Sequence, residues 1–444
     1  MRDVLPKTWN EPGGRAAVGG VALVDIGERF GTPCYVFDQA HIEDRLDQFS
    51  RALGNTGTPV YASKAFLCTA LAGLIASTDW WIDVVSAGEA AIARRGGIPP
   101  SRILLHGNYK SPAEIELAAT GAVGLTVVDS LGEIDDLEAA TGVTGNTIDL
   151  MLRLNEHVGL VTNRKVLTTG ENAKFGLTPE SADEAIDRIA SSKRMRLVGM
   201  HLHAGSHITD AAVFGVILGH LADIVARHRS AFPTSPVLLD LGGGIAAPYL
   251  RSDSTLSPQS VASAIRSTLE RLAIERRIGP VRVMLEPGRS LVANAGLLLY
   301  SIGVRKRLPV GGEMLALDGG LTDNPRPALY DSQYELLPAD NLDRPSDHPF
   351  RVFGRMCETD VMLDRALLPE GIAPGEVVVM PTAGAYTYSM SSRYNYLPRP
   401  PVLFVKDGEV REVVRRESTE DILSGQKALN AAASWSPKLD RSAT

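Results

Sequence analysis

Four short segments of this sequence carry reactive side chains directly after an apolar run that predicts a buried β-strand. In chain order they are Lys64 in YASKA, the histidines of HLHAGSH (201–207), the glycines of LGGGI (241–245), and Glu286 with Arg289 in EPGR. A lysine amine can form a Schiff base with an aldehyde, and a glycine run leaves backbone N–H groups open to a phosphate. A carboxylate can pair with a protonated heterocycle nitrogen, and an arginine fork suits a phosphate or a carboxylate. Each segment therefore has a catalytic or ligand-binding interpretation.

Each segment also has a structural interpretation, and the residues alone leave both open. Lys64 could end its strand in solvent, and a bare Gly-Gly-Gly could be a tight turn. His201 and His203 point to the same side of an extended strand, which suits a metal ion, a flat cofactor ring or a hydrogen-bonded core. No cysteine or carboxylate cluster supports zinc, so we expect no metal. Glu286 and Arg289 could equally form an ion pair with each other.

The elements that must position these residues alternate between apolar strands and amphipathic helices from about residue 35 to residue 290. Strands are predicted at 123–128, 148–154, 197–203, 237–241 and 281–285, and helices at 42–53, from 131, at 212–228 and at 261–276. This alternation predicts a parallel sheet covered by helices. About 250 residues suit one eight-fold β/α barrel, in which the active site lies at the C-terminal ends of the strands. A doubly wound sheet is the alternative. After about residue 290, short apolar runs between Pro, Gly and Asp residues predict a β-rich second domain.

Composition excludes several classes of protein. The chain has 444 residues, 44% of them hydrophobic, and its 45 basic and 52 acidic side chains give a net charge of −7. That charge argues against a nucleic-acid partner held by bulk positive charge. Three scattered cysteines do not form a disulfide framework, no apolar run is long enough to span a membrane, and the first fifteen residues lack a signal-peptide stretch. We therefore expect a cytoplasmic enzyme without a membrane association.

Taken together and in this order, the segments resemble the fold-type III pyridoxal-phosphate decarboxylases, the ornithine/diaminopimelate decarboxylase family. The resemblance runs from about residue 31 to residue 405. It rests on nine segments in register, namely YASKA, DVVSAGE (83–89), HGNYKS (106–111), HLHAGS, LGGGI, EPGR, DNPRPALY (323–330), CET (357–359) and GAYTYSMSSRYN (384–395). One such segment would be a weak signal, but nine in register make coincidence very improbable.

The resemblance implies a (β/α)8 TIM barrel at 36–288 and a β-rich, sandwich-like or barrel-like domain built from 1–35 and 289–425, with a flexible tail at 426–444. It implies pyridoxal 5'-phosphate as cofactor, a small amino-acid substrate and a homodimer with shared active sites. The expected activity is decarboxylation, with meso-2,6-diaminopimelate to L-lysine and CO2 as the first choice.

The same resemblance assigns a role to each site residue. Lys64 would bind the cofactor aldehyde, His203 would stack on its ring, and Glu286 would hold the ring nitrogen protonated. The phosphate would be surrounded by Ser206, Gly243, Gly244 and Tyr386. Arg289, Arg326 and Tyr330, with Tyr386, would address the phosphate or the distal carboxylate of the substrate, in a division that the sequence leaves open. Cys357, as proton donor, and Glu358 would reach across from the partner subunit.

Three departures from the family pattern concern the substrate. Residues 357–360 read Cys-Glu-Thr-Asp, one residue shorter than the usual segment, and His207 stands where a glutamine is typical. Asp331 occupies the place at which ornithine decarboxylases bind a distal amine, whereas Arg326 favours a distal carboxylate. A decarboxylase acting on ornithine, lysine, or a carboxylated or carrier-bound amino acid is therefore the first rival. The others are a racemase on the same barrel, disfavoured by Glu286, and a non-catalytic cofactor-binding protein, disfavoured by the second domain.

Overall fold

The structure is a computed structural model that describes residues 4–156, 173–275, 278–309, 311–359 and 361–427. Most of the tail expected at 426–444 lies outside the described residues, as does Asp360 of the shortened segment. In the part of the chain that is described, no helix is long and apolar enough to cross a membrane.

The chain begins with elements that precede the barrel. A short antiparallel pair, β1 (Ala17–Val18) and β2 (Val21–Ala22), leads into α1 (Leu23–Phe30) and then into β3 (Cys34–Asp38). All five residues of β3 are buried, because this strand lies in the middle of the C-terminal sheet. The expected barrel start at residue 36 falls inside β3, so the first element on the barrel side is the following helix.

Eight parallel strands of the described chain close into a barrel, which confirms the barrel over the doubly wound alternative. They are β4 (Gly57–Ala62), β5 (Trp81–Val84), β6 (Ile103–Leu105), β7 (Leu125–Val128), β8 (Ile148–Arg153), β9 (Met195–His201), β10 (Val237–Asp240) and β11 (Val281–Leu285). The pairing of β11 with β4 closes the ring. Apolar side chains such as Val60, Leu104, Met151 and Met284 fill the interior, so that only the rim at the strand ends is open to a ligand.

Helices cover the barrel, and a side-chain cap marks where several of them begin. They are α2 (Gln39–Leu53), α3 (Thr69–Ala76), α4 (Ala87–Arg95), α5 (Pro112–Ala119), α6 (Leu131–Thr144), α7 (Pro179–Ser191), α8 (Ala212–Arg227), α9 (Pro258–Glu275) and the short α10 (Arg289–Val292). Ser130, for example, accepts a hydrogen bond from the Glu133 backbone N–H and so starts α6 directly after β7.

The C-terminal part is β-rich, as predicted. It contains β12 (Gly296–Arg307), β13 (Glu313–Leu317), α11 (Arg326–Tyr330), β14 (Leu337–Pro338), β15 (His348–Phe353), β16 (Val361–Leu368), β17 (Val377–Met380), β18 (Val402–Lys406), β19 (Glu409–Val414) and α12 (Thr419–Leu423). The strand order is β16-β15-β13-β12-β3-β18-β19, and β17 and β14 extend from β12. Because β3 pairs with both β12 and β18, the two ends of the chain build one sheet.

Candidate active site

A cavity of about 730 Å³ lies where the C-terminal ends of the barrel strands meet the β-rich part. Its lining includes eight residues that the sequence predicted, namely Lys64, His203, Ser206, Glu286, Arg289, Arg326, Tyr330 and Tyr386. It also includes His106, Arg153, Phe175, His201, His207, Tyr249 and Asp253. Strand ends far apart in the sequence therefore converge on one site.

Lys64 projects into this cavity from the turn that follows β4. The neighbouring Ala65 carbonyl accepts hydrogen bonds from the Tyr386 backbone N–H at 2.7 Å and from Ser389 Oγ at 3.2 Å. Tyr386 has a φ of +58°, a conformation that a non-glycine residue rarely adopts. The β-rich part therefore contacts the lysine turn directly, and the contact is made by Tyr386, whose backbone is strained.

A carboxyl group, Asp83 near the end of β5, influences the amine of Lys64. Burial by itself lowers the pKa of Lys64, but Asp83, Tyr386 and Glu286 raise it more, so the pKa lies above its usual value. Burial raises the pKa of Asp83 to about 8, against the opposing effect of Lys64. Its Oδ1 also accepts a hydrogen bond from the Ser63 backbone N–H at 3.1 Å, which ties β5 to the lysine turn.

Glu286 follows β11 and is only 3% exposed. His106 Nε2 lies 2.7 Å from its Oε1, and His201 Nε2 lies 3.7 Å from its Oε2. Burial would raise the pKa of Glu286, but the two imidazoles hold it well below the usual value. Burial lowers the pKa of both histidines, that of His201 to about 3. We assign the negative charge to Glu286 and the neutral form to the histidines, because a neutral imidazole still donates one N–H.

Asp240, at the end of β10, completes this group. Burial and the nearby Glu286 raise the pKa of Asp240 well above its usual value, which favours the protonated form of this carboxyl group beside the Glu286 carboxylate. One ligand atom from each of His106, His201, Asp240 and Glu286 lies within 4.8 Å of the others, a set that could also hold a metal ion. The expectation of no metal therefore stays a prediction. These four residues are called the ring end of the cavity below.

His203 and the glycine run lie beside the ring end. Burial lowers the pKa of His203 well below its usual value, and its Nδ1 accepts a hydrogen bond from the Gly243 backbone N–H at 3.1 Å. A Cβ on Gly243 would lie 2.0 Å from the Glu286 carbonyl oxygen, and one on Gly244 would lie 2.0 Å from the Gly205 carbonyl oxygen. The glycines are thus required by close backbone packing, whatever they also do for a phosphate.

Two buried arginines occupy the other end. Arg289 donates through Nη1 to Tyr249 Oη and lies 3.4 Å from Ser206 Oγ through Nη2. It faces these hydroxyls rather than Glu286, whose own partners are the ring-end histidines. Arg326 donates through Nε to Tyr334 Oη at 2.9 Å. Arg289, Arg326, Tyr249 and Tyr334 are called the arginine end below.

Cys357 and Glu358 do not line the cavity of their own chain. Cys357 is exposed, and its backbone N–H donates to Asn395 Oδ1 at 2.9 Å. Glu358 accepts from Tyr394 Oη at 2.9 Å. Their expected roles require another copy of the chain.

The sequence analysis did not predict the side chains that contact the predicted site residues. His106 had a signal, since it directly follows an apolar strand, and so did Asp240 at the end of the run before the glycines. Tyr249 and Tyr334 carried none, because they come from loops whose position depends on how the two halves of the chain pack. Arg153, which ends β8 and lies 4.2 Å above the Phe175 ring, was also missed.

Comparison with known proteins shows which family has this arrangement. Residues 39–293 match the model of the pyridoxal-binding domain of the pyridoxal-dependent decarboxylases. The chain is similar to diaminopimelate decarboxylase of Actinosynnema pretiosum subsp. auranticum, with 38% identity over 92% of each chain. It is 36% identical to diaminopimelate decarboxylase of Bacillus subtilis, over 92% of this chain and 94% of that one. Its structure resembles that of diaminopimelate decarboxylase from M. jannaschii in complex with L-lysine, with a TM-score of 0.87, 28% identity, and coverage of 95% of this chain and 98% of that one.

The fold and the site thus define a pyridoxal-phosphate-dependent amino-acid decarboxylase. The chain belongs to the pyridoxal-dependent decarboxylase family.

The residues present fit the cofactor. The lysine amine projects into the cavity, and at the ring end the carboxylate oxygen Oε1 of Glu286 is buried, with His106 as its neighbour. A protonated ring nitrogen is the partner that such a buried anion favours. Tyr386, Ser206 and Arg289 supply donors for a phosphate. When bound, the cofactor supplies the electron sink that loss of CO2 requires.

Proposed function

We propose that this enzyme decarboxylates meso-2,6-diaminopimelate to L-lysine and CO2. The observation that carries the proposal is Arg326, whose side chain is 4% exposed, lines the cavity and has no carboxylate partner among the described residues. Because a buried guanidinium is stable only when it is paired, the site favours a substrate that brings its own distal carboxylate. The relatives named diaminopimelate decarboxylase support the same choice.

One observation counts against the alternative of a substrate with a distal amine, such as ornithine or lysine. Asp331, which a distal amine would need, is not among the described residues that line the cavity. It is instead the left-handed residue that ends α11, with a φ of +55°. The side chain of Asp331 is therefore not in place to receive a distal amine in the cavity.

The chain's own residues prepare the reaction at the ring end. Lys64 would hold the cofactor, and its amine would exchange with that of the substrate. Glu286 would keep the ring nitrogen protonated, with His106 and His201 fixing its two oxygens. His203 would lie against the ring face in its neutral form. The wall of the cavity near Tyr386 would exclude water from the reacting carbon.

The test is CO2 release by the purified holoenzyme from meso-2,6-diaminopimelate, L-ornithine and L-lysine. We expect turnover of meso-2,6-diaminopimelate and at least about a hundred-fold lower kcat/KM for the other two, since neither has the second carboxylate. Turnover of L-ornithine or L-lysine without turnover of meso-2,6-diaminopimelate would overturn the substrate assignment. Racemisation without CO2 release would overturn the reaction.

We also infer that the enzyme is a homodimer in which Cys357 and Glu358 serve the cavity of the partner. The support is their exposure together with the exposed aromatic rings of Tyr394 and Tyr396, 40% and 66% exposed, on the same surface. Mixing inactive Lys64→Ala and Cys357→Ala proteins under subunit exchange should restore about a quarter of the activity, because one of the two shared sites is then intact in half of the dimers. No recovery, or a monomer in light scattering, would contradict the inference.

We further propose a cytoplasmic location. Cys34, Cys68 and Cys357 are all free thiols, which suits a reducing compartment.

A further inference from the structure

Arg326 is held by two hydroxyl groups from the segment that follows α11. Its Nε donates to Tyr334 Oη at 2.9 Å, and its Nη2 donates to Ser332 Oγ at 3.2 Å. The left-handed Asp331 ends the helix and turns the chain back, so that residues six and eight positions after Arg326 face its guanidinium. A short loop therefore fixes the orientation of the arginine.

These two bonds decide which side of the guanidinium remains available. A guanidinium has five N–H donors, and the bonds to Tyr334 and Ser332 occupy two of them on the Nε side. The donors of Nη1 and the remaining donor of Nη2 form the opposite edge, the geometry that binds a carboxylate through two parallel hydrogen bonds. Since Arg326 lines the cavity, this edge is the one left for a ligand.

Tyr334 is itself held in place by its contact with Tyr249. It is 5% exposed and meets the Tyr249 ring edge-on, with centroids 5.2 Å apart and an interplanar angle of 87°. Tyr249 accepts a hydrogen bond from Arg289, and the Arg326 guanidinium carbon lies 5.3 Å from the Tyr249 ring centroid. Arg289 and Arg326 therefore both contact Tyr249, which fixes the position of one guanidinium relative to the other.

We infer that Tyr334 is a specificity-determining positioning residue, which together with Ser332 orients Arg326 so that its free edge receives the distal carboxylate of the substrate. This inference rests on the proposed function and names the device that selects a substrate with a second carboxylate. Tyr334 acts through Arg326 and touches neither the cofactor nor the reacting carbon.

The test is equilibrium binding of two ligands to the holoenzyme by titration calorimetry, for the wild type and for Tyr334→Phe. L-lysine and 1,5-diaminopentane differ only in the carboxylate. We expect Tyr334→Phe to raise the Kd of L-lysine about tenfold, the effect of losing one hydrogen bond to a charged group, and to leave that of 1,5-diaminopentane within about twofold. KM for meso-2,6-diaminopimelate should rise by the same factor while kcat changes less than about twofold.

Tyr300→Phe is the matched control, because the Tyr300 hydroxyl is also buried but has no hydrogen-bond partner in the described chain. It should leave both Kd values and the kinetics unchanged. Ser332→Ala tests the second contact and should raise the Kd of L-lysine by a smaller factor in the same direction.

The inference is overturned if Tyr334→Phe leaves the Kd of L-lysine unchanged, or weakens both ligands and the cofactor equally. The binding measurement does not depend on turnover. If the affinity for L-lysine depends on Tyr334 but the wild type does not decarboxylate meso-2,6-diaminopimelate, the proposed function alone is contradicted.

Discussion

The two ends of the cavity are built in opposite ways. At the ring end, four side chains from the ends of four barrel strands lie close together, and the carboxylate of Glu286 has His106 and His201 as its neighbours. At the arginine end, two buried cations from different parts of the chain have hydroxyl and aromatic partners and no carboxylate among the described residues. The ring end is electrostatically prepared for a cofactor, whereas the arginine end is complete only with an anionic ligand. Under the proposed function, side chains at the ends of the barrel strands would serve the cofactor, and Arg326 with its hydroxyl partners would select the substrate.

Removal of Lys64, which lines the same cavity, should have the largest effect. Lys64→Ala should lower kcat by at least about a thousand-fold and abolish the visible absorption band of the Schiff base, because the amine that binds the cofactor is gone. Absorbance spectra measure the band, and CO2 release measures kcat. Lys306→Ala, on an exposed part of β12, is the control and should change neither. A persistent band would show that another lysine binds the cofactor.

A change at the ring end should affect the rate more than substrate binding. Glu286→Gln removes the negative charge with little change in shape, and kcat should fall about a hundred-fold or more while KM changes little. Asp240→Asn is the matched variant. Because burial and the nearby Glu286 favour the protonated form of Asp240, a neutral amide is a close substitute for it, and the loss should stay within about tenfold. Equal losses in the two variants would disprove the assignment of the single charge to Glu286.

A change at the arginine end should affect substrate binding more than the rate. Arg326→Gln should raise KM for meso-2,6-diaminopimelate about a hundred-fold, the expected cost of removing one partner of a buried charge pair, with a much smaller change in kcat. Steady-state kinetics of this variant are compared with those of Arg351→Gln, which breaks an exposed pair with Asp364. If kcat alone falls, Arg326 does not bind the distal carboxylate.

Histidines that line the cavity should have a smaller effect, on the stability of the protein in acid. Burial lowers the pKa of His201 to about 3 and that of His207 to about 4. At these two histidines the unfolded chain therefore binds protons between pH 6.5 and 4 that the folded chain does not, so their contribution to the free energy of unfolding falls as the pH is lowered through this window. The raised pKa values of Asp83 and Asp240 act in the opposite direction, so the contribution of a histidine is measured by comparing variants in thermal denaturation between pH 7 and 4.5.

His207→Asn should flatten this pH dependence, because one of the two histidines is removed and asparagine tolerates the φ of +63° at this position. His228→Asn, at a surface pair with Asp183, provides the comparison. An identical change of Tm with pH in the wild type and in His207→Asn would contradict the lowered pKa of His207.

The fold and the ring end were more predictable from the sequence than the arginine end, for a physical reason. The apolar runs and the residues after them, such as Lys64 and Glu286, predict strand ends, and a barrel brings its strand ends together. Predicted strand bounds were off by a few residues, as at 197–203 against Met195–His201. His203 therefore lies beyond its strand.

The arginine end depends on contacts that no local pattern encodes. Tyr249 and Tyr334 are separated by 85 positions and meet only because the loop after β10 packs against the loop after α11. Arg326 was identified through a family resemblance, but its orientation by Ser332 and Tyr334 follows from the three-dimensional structure alone.

The most direct test of the contrast between the two ends is the ratio of the Kd for 1,5-diaminopentane to the Kd for L-lysine, measured on holoenzyme carrying Glu286→Gln or Arg326→Gln. We predict that Glu286→Gln leaves the ratio at its wild-type value, and that Arg326→Gln lowers it by about a hundred-fold by weakening L-lysine alone. A ratio that changes in Glu286→Gln, or that stays constant in Arg326→Gln, would contradict the account.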